Sequence, residues 1–133
     1  MRTSSYADDP SIRDKAELLR RIPPEHVVPD QNQGGIRISS AAFKDHPNGS
    51  PMSVVLAEEL ARVGRSPQDV LIGHDDFALA MITAGLARAC DQGVAREPLE
   101  NEPAHAVVFG PKTHGIRKKL AAGARWVIPP PRR

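Results

Sequence analysis

The chain has 133 residues, a net charge of +2 and ordinary hydrophobic content, which together indicate one soluble domain large enough to bury a core. Its single cysteine excludes a disulfide scaffold and a multi-cysteine zinc site. No apolar run is long enough to cross a membrane, and the polar start lacks the apolar core of a signal peptide. The sequence therefore predicts a cytoplasmic protein without a membrane partner.

The first third of the chain gives weak structural signals. Residues 1–11 show no periodicity and are predicted to form a flexible leader. The segment 14–22 fits either one or two helical turns or a strand over its second half, and its spacing does not decide between them. Residues 36–43 begin with apolar–polar alternation, which predicts a half-buried strand. Ser39 and Ser40 follow this alternation, where short polar residues often line a cleft.

Two apolar segments occupy the middle of the chain. Residues 53–63 are predicted to form the clearest helix, since Ser53 can cap it, apolar residues recur at helical spacing and Gly64 can end it. Residues 77–90 are the most apolar segment and must belong to the core. They fit either one helix or a strand followed by a helix over 84–92.

The C-terminal part carries the strongest pattern. The uniformly apolar run 106–109 predicts a strand covered on both faces, as in a parallel or mixed sheet. Apolar residues then recur every four positions, which predicts a helix over 114–125 with Thr113 as its cap. Residues 126–128 are predicted to form an edge strand, and residues 129–133 an extended Pro/Arg tail.

These elements predict a single domain over residues 12–128 with an α/β or α+β fold. We expect a mixed sheet of three to five strands with about three helices. The adjacent His74, Asp75 and Asp76 are metal-ligand types, but neighbouring residues rarely converge on one ion. A capping role for one of the two aspartates is favoured there, and no metal site is predicted.

Charge is distributed unevenly along the chain. Residues 103–133 hold seven of the 18 basic residues and no acidic residue. The first 102 residues hold the other 11 basic residues and all 16 acidic ones, a net charge of −5. A basic end beside an acidic body predicts a docking surface for phosphate, nucleic acid or an acidic partner.

The strand, glycine loop and helix over 105–117 form the layout that presents free amides to an anion. Gly110 and Gly115 have the spacing of a phosphate loop, but the Lys-Ser/Thr pair that the loop requires is replaced by Ile-Arg. His105 and His114 are candidates for acid–base catalysis if both face one cleft. The candidate ligand-binding residues are Lys112, Thr113, His114, Arg117, Lys118, Ser39, Ser40 and Asp45.

Several short motifs follow one another over most of the chain: RRI at 20–22, ISSAAFKD at 38–45, MSV at 52–54, PAHA at 103–106, KT at 112–113 and WV at 126–127. In this order they resemble a family of small uncharacterised bacterial proteins with no known activity, and the resemblance implies a coherent domain. The early arginine and later Ser-Ser pair are also similar to ADP-ribosyltransferase folds, which hold NAD. Those enzymes usually add a late catalytic glutamate, whereas no acidic residue follows Glu102 here.

Three functions follow from these patterns. The first is a non-catalytic accessory protein that docks to a larger protein partner through the basic C-terminal helix. The second is a small enzyme or sensor that binds a phosphate-bearing ligand, such as a nucleotide or NAD, at residues 105–117. The third is binding to a nucleic-acid backbone, with an affinity that falls steeply with salt. No cofactor is assigned.

Overall fold

The computed structural model describes residues 6–131. Its strands and helices, in chain order, are β1 (Glu17–Ile22), β2 (Val27–Pro29), β3 (Ile36–Ile38), β4 (Met52–Leu56), α1 (Ala57–Arg62), β5 (Ala78–Thr83), α2 (Ala84–Ala89), β6 (Gly93–Arg96), β7 (His105–Phe109), α3 (His114–Gly123) and β8 (Arg125–Ile128). Three short 3-10 helices add to these: Pro24–His26, Ser40–Phe43 and Pro67–Leu71. Within this described part, no helix is long and apolar enough to cross a bilayer.

The main sheet has six strands in the order β6-β7-β4-β1-β5-β8, and β2 and β3 form a separate two-stranded sheet. Every neighbouring pair runs antiparallel. The prediction of a mixed sheet with three to five strands is therefore wrong. β7 is indeed an apolar strand buried at its centre, but a central antiparallel strand with cover on both faces has the same appearance in sequence as a parallel one.

The two faces of the sheet pack against different elements. On one face, α2, α3 and the 3-10 helix Ser40–Phe43 cover a large core that includes Leu18, Phe43 and Leu120. We call this the α2–α3 face. On the other face, α1 and the 3-10 helix Pro67–Leu71 cover a smaller core, and we call it the α1 face. Alternation along each strand sends successive side chains to opposite cores.

The helix predicted over residues 53–63 is wrong in its first half. Met52–Leu56 is strand β4, and only Ala57–Arg62 is helical. Val54 belongs to the core of the α2–α3 face and Val55 to that of the α1 face. β4 is central, so burial on both faces favours adjacent β-branched residues, and this tertiary demand outweighs the helical spacing of the leucines.

Elsewhere the structure decides between the open alternatives. Glu17–Ile22 is a strand rather than helical turns, and residues 77–90 contain a strand followed by a helix. The helices predicted over 84–92 and 114–125 begin as expected but end earlier, at Ala89 and Gly123. Each stops because the chain must turn at once into the next strand, β6 or β8.

The two outer strands end the sheet in different ways. At β6, the Asp9 amide donates to the Val94 carbonyl (2.8 Å), and the Val94 amide donates to Asp8 Oδ1 (2.9 Å). At β8, the register shifts so that Val127 has no partner in β5, and Pro129 follows the strand directly. A covering segment, a bulge and a proline are each devices that keep another strand from adding to an edge.

The predicted leader and tail are described in part. Residues 1–5 and 132–133 lie outside the described residues. Tyr6 stacks on Phe109 with ring centroids 5.7 Å apart, and its hydroxyl donates to the Glu97 carboxylate. Tyr6 therefore packs on the α1 face beside β6 and β7, whereas Asp8 and Asp9 lie along the outer edge of β6.

Candidate functional site

A groove of about 820 Å³ runs between α3 and the β2–β3 hairpin. Its apolar lining includes Ile36, Ile38, Ala121 and Trp126. Its polar lining includes Asp30, Arg37, Ser40, His114 and Lys118. The groove thus combines apolar surface with cationic side chains, and we call it the α3 groove.

The turn between β2 and β3 builds one wall of the α3 groove. Asp30 Oδ1 accepts hydrogen bonds from the amides of Asn32 and Gln33, both at 3.0 Å. Gly34 and Gly35 have φ values of 79° and 72°, which glycine adopts without steric cost. This closed turn holds β3 alongside the groove and uses one oxygen of the only carboxylate in the described lining.

Helix α3 builds the other wall. Thr113 Oγ1 accepts a hydrogen bond from the Ile116 amide (3.2 Å) and starts the helix. Leu120 is fully buried and fixes the helix to the core. His114 and Lys118 are four residues apart, so they share one side of the helix, and both line the α3 groove.

The side chains of Arg37, His114 and Lys118 have no hydrogen-bond or ion-pair partner among residues 6–131. Most arginines of the described chain do have one. The residues whose cationic groups bind carboxylates or carbonyls are Arg20, Arg21, Arg62, Arg65, Arg88, Arg96, Lys112 and Arg117. The three side chains in the α3 groove are therefore not used to hold the fold together.

Lys112 is held by the protein itself. Its Nζ lies 2.9 Å from Asp45 Oδ1 and donates to the carbonyls of Val108 (3.0 Å) and Gly110 (3.3 Å). An ammonium has three N–H donors, so these contacts leave none for a ligand. Burial lowers the pKa of Lys112, and Asp45 opposes that shift. Asp45 Oδ1 also accepts from the Met52 amide (3.1 Å), so this pair joins the 44–50 turn to β4 and β7.

Arg20 is a second internal cation, and it was not among the predicted site residues. It donates to three carbonyls, those of Ala42 (3.0 Å), Ser53 (2.7 Å) and Lys44 (3.4 Å). Burial lowers the pKa of Arg20 to about 10, although Asp45 opposes the shift. Arg20 lies two positions from both Leu18 and Ile22, which belong to the core of the α2–α3 face, and this period of two is the signal that could have placed it on that face.

Other predicted ligand-binding residues make local contacts. Ser39 Oγ accepts from the Ala41 amide (3.1 Å) and caps the 3-10 helix that follows. Arg117 Nε donates to the Lys112 carbonyl (3.2 Å). Ser40 lines the α3 groove, as do the two residues of α3 described above. Of the eight candidates, the groove thus brings together Ser40, His114 and Lys118.

His105 and His114 do not meet in one cleft. His105 pairs across the sheet with Val55, whose side chain belongs to the core of the α1 face, and residues opposite each other share a face. His114 lies at the start of α3, which covers the other face. Acid–base catalysis that uses both rings at one substrate therefore has no geometric basis in the described chain.

Within residues 6–131, no group of three His, Cys, Asp or Glu side chains is placed to hold a metal ion. Cys90 is free and buried. Comparison with protein-family models gives no match, and neither a curated protein nor a solved structure shows significant similarity to this chain.

Proposed function

We propose that this chain is a protein-interaction module and that its α3 groove takes an extended acidic segment of a larger protein partner. The observation that carries the proposal is the convergence of Arg37, His114 and Lys118, all without partners in the described chain, on one groove. Apolar side chains such as Ile38 and Trp126 line the same groove. Side chains of both kinds suit a polypeptide better than a bare inorganic anion.

The chemistry of the lining defines the segment. Apolar side chains of a partner gain about 25 cal/mol for each Å² that they bury. Its carboxylates would pair with Arg37 and Lys118, which contribute roughly 0.2–1 kcal/mol each as exposed ion pairs. We therefore expect acidic and apolar residues in the same short segment. Affinity should weaken with salt without vanishing, because salt screens only the charged contribution.

The positive charge around the α3 groove also favours an acidic partner. Residues 103–133 hold seven basic and no acidic residues, and α3 lies within them. A region of one sign raises the local concentration of an oppositely charged partner and speeds its association. The acidic body of the chain disfavours the same partner elsewhere.

Trp126 gives a direct test, because it is the only tryptophan of the chain and it lines the α3 groove. A synthetic extended peptide that alternates glutamate and leucine is titrated into the protein while tryptophan emission is followed. We expect a saturable change in emission that a lysine–leucine peptide of equal length does not produce. Equal responses to both peptides would contradict the proposal.

Two double charge-reversal variants distinguish the effect of the groove residues on binding from the effect of net charge. Arg37→Glu with Lys118→Glu changes two residues of the lining. Lys15→Glu with Lys119→Glu makes the same change in net charge at exposed residues outside it. We expect the first pair to weaken peptide binding about tenfold, equivalent to about 1.4 kcal/mol, and the second to change it less than about twofold. The matched pairs should then be used to capture the natural partner from the host.

The same titration distinguishes the other functions. A saturable Trp126 response to ATP or NAD, with none to the acidic peptide, would replace the proposal with a phosphate-bearing ligand. A response to duplex DNA or RNA that disappears as salt rises would indicate contacts to the nucleic-acid backbone.

A further inference from the structure

A serine and a histidine meet on the α1 face, away from the α3 groove. His105 Nε2 lies 3.0 Å from Ser53 Oγ, and His105 Nδ1 lies 2.8 Å from the carbonyl oxygen of Glu97. The Glu97 carboxylate lies 3.7 Å from the same Nδ1 and accepts from the Tyr6 hydroxyl. Two hydrogen bonds therefore connect the Ser53 hydroxyl, the His105 imidazole and the Glu97 carbonyl oxygen in series.

The Glu97 carbonyl determines which group donates and which accepts in these two hydrogen bonds. A carbonyl oxygen only accepts, so His105 Nδ1 must carry a hydrogen and donate it. In the neutral ring, Nε2 then has a free lone pair and must accept. The Ser53 hydroxyl is consequently the donor in the Ser53–His105 hydrogen bond. This is the polarity in which an imidazole acts as general base toward a serine.

The serine is accessible, and the ring is held in place. Ser53 is exposed on β4, whereas the His105 side chain is only 11% exposed. A hollow of about 310 Å³ adjoins the ring, and its apolar lining consists of Leu56, Pro98 and Pro103. A reactant can therefore reach the hydroxyl while the neighbouring chain restrains the base.

We propose that Ser53 is a nucleophile for acyl transfer, with His105 as its general base and the Glu97 carbonyl as the positioning group. Ser53 Oγ forms a bond to the carbonyl carbon of an ester while its proton passes to His105 Nε2. The bond from that carbon to the leaving oxygen then breaks, and the leaving oxygen takes the proton from Nε2. Water then forms a bond to the acyl carbon while its proton passes to His105 Nε2, and the bond from that carbon to Ser53 Oγ breaks as Oγ takes the proton back, which releases the acid. This activity goes beyond partner binding at the α3 groove and does not depend on it.

The hollow beside His105 indicates the substrate class. Its apolar residues suit a small uncharged acyl or alcohol group. Its charged residues already have partners, since Arg96 pairs with Glu59 at 2.9 Å, and so they add no unpaired charge. We therefore infer an uncharged ester with a small apolar substituent.

A fluorophosphonate tests the nucleophile directly, because Ser53 Oγ would displace fluoride and keep the phosphonyl group. The full chain is labelled and digested, and the modified residue is identified by mass spectrometry. We expect label on Ser53 ahead of Ser40 and Ser50, which are the matched controls because neither hydroxyl is hydrogen-bonded to a histidine ring in the described chain. Equal labelling of the three serines, or none on Ser53, would overturn the proposal.

Variants of His105 distinguish a role as general base from a purely structural role. His105→Gln should slow labelling of Ser53 about a hundredfold, the loss of a general base. His105→Ala should regain a measurable part of that rate when imidazole is added, which a merely structural role would not produce. Thermal unfolding of each variant shows that it is folded, and unchanged labelling in folded His105→Gln refutes the role of the base.

Discussion

Lys112 and Lys118 lie six positions apart, yet the structure uses them in opposite ways. Lys112 is 7% exposed at its side chain, and its ammonium is surrounded by Asp45 and two carbonyls. Lys118 is exposed on the α3 groove without a partner in the described chain. The comparison separates charges that hold the fold from charges that are left for another molecule. Residue type and proximity in sequence do not make that separation, because it depends on which carbonyls and carboxylates the fold brings near.

Removal of the internal charge of Lys112 should have a larger effect on stability than any other change considered below. Lys112→Met should lower the free energy of unfolding by about 2 kcal/mol, because it removes the cation beside Asp45 and the donor to two carbonyls. Urea unfolding followed by circular dichroism measures the loss. Lys119→Met, an exposed control in α3, should change stability by less than about 0.5 kcal/mol. Equal effects in the two variants would contradict the structural role of Lys112.

The covered edge of the sheet gives a second, smaller effect. Asp8 Oδ1 accepts from both Arg88 Nε (3.0 Å) and the Val94 amide (2.9 Å). Asp8→Ala should cost about 1 kcal/mol and speed hydrogen exchange at Val94, because it removes an acceptor that β6 needs. Asp8→Asn keeps an acceptor and should retain most of the protection. An exchange rate at Val94 that stays unchanged in Asp8→Ala would show that the edge is covered by other means.

A paired carboxylate should also make stability depend on pH. Arg65 donates to both oxygens of Glu102, at 2.6 and 2.9 Å, and these hydrogen bonds hold the Glu102 pKa below its ordinary value. The unfolded state therefore takes up a proton first as the pH falls. The stabilisation is complete above the ordinary glutamate pKa and is lost as the pH falls through the folded pKa. Glu102→Gln should flatten this acid-side slope in urea unfolding, and an unchanged slope would assign it to other carboxylates.

The smallest expected effect on stability belongs to the groove. Lys118→Glu should leave the unfolding free energy within about 0.5 kcal/mol of the parent, because the side chain has no partner to lose. The same variant should weaken binding of the acidic peptide followed by Trp126 emission. A large loss of stability would mean that Lys118, like Lys112, helps to hold the fold together, which would contradict the contrast between the two lysines.

Local patterns in the sequence predicted several elements. The apolar run before Gly110 is β7, the segment after Thr113 is α3, and Trp126 lies in an edge strand. These signals are local, since a strand or capped helix needs only its own spacing and end residues. The sequence also directed attention to His114 and Lys118, which the α3 groove brings together.

Features that depend on the whole fold were not predicted. Residues 53–63 carry apolar spacing typical of a helix, and only the position of Met52–Leu56 between β1 and β7 makes that first part a strand. The number of strands and their antiparallel order depend on pairings between distant segments, which no local spacing encodes. The internal role of Arg20 likewise depends on three carbonyls from β4 and the 40–44 segment. The Ser53–His105 contact joins residues 52 positions apart and has no local signal.

The position of β1 in the sheet has a consequence for synthesis of the chain. β1 emerges from the ribosome before β4 and β5, but it lies between them and pairs with both. Its apolar residues Leu18, Leu19 and Ile22 therefore lack part of their final packing until the chain has been synthesised as far as Thr83. Sheets assembled from such distant segments fold slowly, because the chain must close large loops before it gains contacts. A nascent chain that stops before β4 would expose an apolar strand with two open edges, and one that stops before β5 would still leave one edge open, so we expect this protein to engage holding chaperones during translation.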